Sequence, residues 1–176
     1  MATPKLFGIS LWPLEPEEGV TGDDPTIHSY PMDFQLHQLS ASNIASIFNS
    51  AFIDAEAPED GDYCLVKDER VTLVCAYKEQ NLLRFNHFVP GPSDLNEEAL
   101  KSFVNAINNR LSMLKVYIGD EKDKDGDWIM IFEYDHIAFG HSSISAKTII
   151  QLHRLFGSVI DSSYQIYREL FMASSK

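Results

Sequence analysis

Asp135, His136 and His141 are the residues whose spacing most invites chemistry, because imidazoles beside a carboxylate can bind a metal or move a proton. A catalytic zinc wants three protein ligands converging on one point, and two histidines five residues apart at the end of a strand-like run supply two of them. His87 and His153 would have to be folded into the same place, while His28 and His37 lie in or near a proline-rich stretch and read as exposed. The thiols are Cys64 and Cys75. A nucleophilic thiol needs a histidine partner and electropositive surroundings, and neither stands near them in the sequence. Both sit in apolar strand patterns and read as buried free thiols rather than a disulfide.

Residues 119–127 (GDEKDKDGD) invite a calcium reading, since Asp123, Asp125, Gly126 and Asp127 fall on an EF-hand-like spacing. That motif would begin on Glu121 and close on a bidentate glutamate where Phe132 stands; Glu133 misses by one. Strand-like runs flank the loop where an EF-hand needs helices, so an acidic hairpin turn built on Asp125-Gly126 is expected. Glu97 and Glu98 are adjacent in a helical pattern and point apart, which suits them to the positive end of a helix dipole. The nine glycines are scattered and make no phosphate loop. A non-enzymatic protein without metal or cofactor is therefore expected; a hydrolase or thiol enzyme centred on His136 or Cys64 is the minor alternative.

The elements that would position these residues can be read in chain order. Residues 1–32 hold five of the eight prolines and an acidic bias, and 1–35 is expected to be an extended arm, with an apolar stretch at 5–14 (KLFGISLWPL) anchored by Trp12. Residues 36–176 are expected to form one domain. A serine cap at Ser40 or Ser42 opens a first helix with Ile44, Ile47, Phe48, Ala51 and Phe52 on one side. Strands follow at 63–67, 71–78 and 82–89, separated by short turns and ended by Pro90-Gly91-Pro92.

Asn96, Glu97 and Glu98 then start a second helix with Leu100, Phe103, Val104, Ile107 and Leu111 on its stripe, closing at Asn108 and Asn109. A strand at 114–118 and another at 128–137 (WIMIFEYDHI) come next. Ser145 caps a last helix whose apolar face continues to Phe171, with Gly157 as its weak point. The order α-β-β-β-α-β-β-α implies an α+β fold with an antiparallel sheet and helices packed on one side.

The hairpin strand at 128–137 is apolar on both faces, with Trp128, Met130, Phe132 and Tyr134 on one and Ile129 and Ile131 on the other. A sheet with one wet face would alternate with polar residues, so something must cover the second face. The arm, another element of the chain, or a second subunit are the choices. These six residues are the candidate partner-binding set, because aromatic and methionine side chains dominate interface energy. The net charge of −12 and pI near 4.8 disfavour nucleic acid and anionic membranes, which need clustered Lys and Arg. No signal segment or stretch of about 18 apolar residues is visible, and a cytoplasmic location is expected.

Residues 103–111 (FVNAINNRL), read on through 114–120 and 128–134, together with Tyr134-Asp135 and Ser145, resemble the YbjN-domain family. That family is described as candidate bacterial sensory transduction regulators, with a fold similar to type III secretion chaperones. The resemblance implies a small acidic bacterial protein that acts through protein contacts, as a homodimer or on a partner segment, and it brings no catalytic motif. A small-ligand-sensing domain, with a pocket between the sheet and the long helix, is the alternative function.

Overall fold

The computed structural model of the chain describes residues 33–59, 61–138 and 143–172. The proline-rich stretch before Asp33 and His141 lie outside them. β1 (Asp33–Gln35) leads into α1 (Ala41–Ser50), where Ser40 and Asn43 cap each other's backbone amides in a reciprocal box. β2 (Asp54–Glu56), β3 (Tyr63–Lys67), β4 (Val71–Tyr77) and β5 (Leu82–Pro90) form an antiparallel meander. α2 (Glu97–Arg110) follows, capped by the Asn96 side chain, and then the hairpin β6 (Lys115–Lys122) and β7 (Trp128–Ile137). β8 (Ser143–Ser145) pairs with β1, and α3 (Ala146–Tyr167) ends in a π-helical turn over Arg168–Met172.

The main sheet has six strands in the order β2-β3-β4-β5-β7-β6. The hairpin thus inserts β7 beside β5 and leaves β6 at the edge. Strict alternation sorts its side chains: Cys64, Val66, Val74, Leu83, Phe85, Val116, Met130 and Phe132 point inward and are buried. They meet Ile44 and Phe48 of α1, Phe103 and Ile107 of α2, and Ile149, Phe156 and Ile160 of α3 in one core. Among the described residues the three helices all pack on this inner side, as the apolar stripes require.

Four local expectations are corrected. Phe52 does not extend the buried face of α1: the helix stops at Ser50, and Phe52 turns outward, fully exposed, with φ of 60°. Asn108 and Asn109 do not close α2 in a left-handed conformation. The helix runs to Arg110, and Asn108 instead bonds strand β6 both ways, accepting from Val116 N at 2.8 Å and donating to Val116 O at 2.7 Å. Residues 119–122 belong to β6 rather than to the turn, past a bulge between Ile118 and Lys122. The long helix loses α geometry after Tyr167. At Gly157 a β-carbon would meet only the Arg70 guanidinium, at 3.4 Å, which crosses the helix there to reach Asp161.

Candidate functional site

The outer face of the sheet carries the feature that needs explaining. Phe88, Ile131 and Tyr117 stand opposite one another on β5, β7 and β6 and form an apolar row across three strands. Phe88 is 47% and Tyr117 39% exposed, and Ile137 and Val71 lie open on the same face. Ile129 extends the row along β7 and is half-buried.

Next to this row runs a closed set of charges. Arg84 donates to both oxygens of Asp135 at 2.7 and 2.8 Å, and a third nitrogen lies 3.1 Å from Glu133. Lys115 donates to the other Glu133 oxygen at 3.1 Å. Glu133 is only 6% exposed, so these cations compensate a carboxylate that burial would otherwise disfavour. The hydrogen bonds to Asp135 raise the Arg84 pKa and keep it charged, and its guanidinium lies 5.3 Å from the Tyr77 ring centroid. Two cations face two carboxylates here, which makes this part of the face neutral in a strongly acidic chain.

The six residues expected to bind a partner divide. Met130 and Phe132 are 2% exposed beneath the helices and belong to the core, so they offer no surface to a protein partner on the outer face. Tyr134 is half-buried against Phe85 and Phe156, with centroids at 5.9 and 6.5 Å. Trp128 is half-buried under the Lys122 ammonium, 4.9 Å from its ring. Ile129 and Ile131 lie on the outer face. Tyr117, Phe88, Ile137 and Val71 were missed, although the two-faced apolar alternation that marks 128–137 is also present in 71–77.

The residues with chemical potential do not converge. His136 lies inward on β7 opposite Leu83, while His87 is buried with Nδ1 2.9 Å from the Val71 carbonyl. His153 is buried on α3, its Nε2 3.6 Å from Asp68. Cys64 faces the core and Cys75 the outer side, so they cannot bridge, and burial pushes the Cys64 thiol up to about 12. Asp123 accepts from the amides of Asp125 and Asp127, both at 2.9 Å, which makes residues 123–127 a turn closed by its own aspartate. Among the described residues no cluster of three or more His, Cys, Asp or Glu could hold a metal, and no helix is long and apolar enough to cross a membrane.

No family profile and no curated protein matches the chain in sequence. Solved structures do match. YbjN from E. coli, described as a candidate transcription regulator, aligns over 71% of this chain and 88% of its own at 10% identity, with a TM-score of 0.53. The fold is YbjN-like. The HopA1–SchA chaperone–effector complex aligns over 69% of this chain and 88% of that one, at 10% identity and a TM-score of 0.43. Within the YbjN-like fold the α+β class, the antiparallel sheet and the one-sided helices all stand as read from the sequence.

The buried histidines give the fold a pH dependence. Burial lowers the pKa values of His87, His136 and His153 below the ordinary 6.5. The unfolded chain therefore takes up protons first as pH falls through about 6.5, and stability declines until the folded-state values are passed. The melting temperature, measured from pH 7.5 to 5, is expected to fall, and His153→Gln is expected to flatten part of that slope.

Proposed function

We propose that this chain is a non-enzymatic bacterial regulatory or chaperone-like protein, acting in the cytoplasm through protein contacts made on the outer sheet face. Residues 36–176 are its working domain. The observation that carries the reading is the open row Phe88–Ile131–Tyr117, left uncovered by the described helices, which all take the other face. A second copy of the chain suits this face, because its four charges are satisfied among themselves and present no net repulsion at the contact.

Tyr117→Asp tests the reading with little risk to folding, since the ring is substantially exposed on an edge strand. If the row is the contact, the variant should weaken self-association by at least tenfold, since central aromatic residues of an interface cost about 2 kcal/mol or more when lost. Light scattering across micromolar concentrations reads this directly. An unchanged mass, with the circular dichroism spectrum intact, would remove the row from the contact.

A further inference from the structure

We propose that the apolar pocket between β5, β7, α2 and the C-terminal end of α3 is a binding site for a small neutral aromatic molecule. This site lies on the side of the sheet opposite the proposed contact face and does not depend on it. The pocket opens to solvent on one side and measures about 210 Å³. Met130 and Phe132 from the sheet and Phe103 from α2, each 2–3% exposed, form its floor, while the more open Tyr164 and Tyr167 stand on α3.

The ligand class follows from what the lining offers. Apolar cavities of about 150 Å³ already accept benzene, so this volume suits a substituted single ring or a compact bicycle. Four aromatic rings and the Met130 thioether form the lining, and aromatic and sulfur–aromatic contacts favour a flat π-system over an aliphatic chain. Two of the three side-chain hydroxyls are already engaged, Ser163 Oγ donating to the Ile160 carbonyl at 2.6 Å and the Tyr167 hydroxyl to Asp94, while that of Tyr164 stands on an exposed side chain at the rim. No lining residue carries a charge, so an ion entering would lose its hydration without a partner. Asp94, bound to Tyr167, further disfavours an anion.

The surroundings hold the site in shape and mark it. The Tyr167–Asp94 bond, 2.6 Å to one oxygen and 2.7 Å to the other, ties the end of α3 to the loop that carries Pro92. Immediately after Tyr167 the helix widens into the π-helical turn of Arg168–Met172, a geometry that recurs beside functional sites. Phe103 and Tyr167 meet edge to face at 5.5 Å, and both pack against Phe171, which fixes the rings at this end of the pocket.

The test uses the full chain with ¹³C-methyl methionine labels. The chain has five methionines, and Met130→Leu identifies the pocket signal. Indole is the neutral aromatic probe and octanoate the apolar anionic control. The expected result is a saturable shift of the Met130 methyl with indole, weaker or no shift with octanoate, and loss of the indole shift in Ser163→Leu, which fills the cavity. Should Ser163→Leu not fold, Val89→Phe fills the same space from β5 and decides the point. The proposal is overturned by a Met130 methyl that indole does not shift saturably, by octanoate binding as strongly as indole, or by indole shifts that persist in the filled variant.

Discussion

Phe132→Ala is expected to lower the free energy of unfolding by about 3–5 kcal/mol, the range for deleting a large buried aromatic side chain from a packed core. The ring is 2% exposed, belongs to the single core cluster and lies 6.3 Å from the His87 ring. Much of the stability of a domain this size would be lost, since native proteins hold only about 5–15 kcal/mol in reserve. Urea denaturation should show a lower midpoint with an unchanged slope. The same geometry changes what Phe132→Asp would mean. As a partner anchor, Phe132 would lose association when made acidic; as a core residue it loses the fold, because a carboxylate there has neither water nor a cation. Circular dichroism separates the two, and loss of the folded spectrum is the expected result.

Arg84→Leu should cost about 2–3 kcal/mol, less than a deeply buried pair because Arg84 and Asp135 remain 26% and 30% exposed and solvent screens them. The cost comes from the carboxylates left behind. Glu133 would keep only Lys115, whose ammonium is mostly in solvent, while Asp135 would lose both of its bonds from Arg84. Combining Arg84→Leu with Glu133→Gln should recover part of the loss, because the partner that no longer has a cation is then neutral. Thermal denaturation of the two single variants and the double variant measures that coupling. Additive losses would show that Arg84 and Glu133 act independently.

The distribution of stabilising residues explains how much of the fold could be read beforehand. β3 was legible to the residue because 63–67 has a sharp turn on either side and alternates as it should. The Asn96 cap was legible because a side-chain acceptor followed by two acidic residues admits few other conformations. β1, β2 and β8 were not, since three residues are too few to show a period, and β1 and β8 exist only by pairing with each other across more than a hundred residues. Asn108 shows a different limit. Its type suggested an end, but its side chain reads the backbone of β6, and nothing local to the helix reveals that.

The candidate face was half legible for a related reason. Apolar residues on both sides of 128–137 show that two surfaces need covering, without showing which one the helices take. The larger side chains, Met130 and Phe132, went inward because three helices leave a thick space to fill. The flatter set, Ile129 and Ile131, stayed outside with Tyr117 and Phe88. Phe52 keeps helical spacing from Phe48 but lies two residues past the end of α1, where the backbone has already turned outward.

The closed charges of Arg84, Lys115, Glu133 and Asp135 also determine how this protein should respond to ionic strength. With that face balanced, the net charge of −12 resides elsewhere on the chain, and two approaching copies repel through their flanks rather than at the contact. Salt shortens the reach of that repulsion to about 10 Å at 0.1 M and leaves an apolar row untouched. Self-association should therefore tighten as salt is added, whereas capture of a basic partner would loosen.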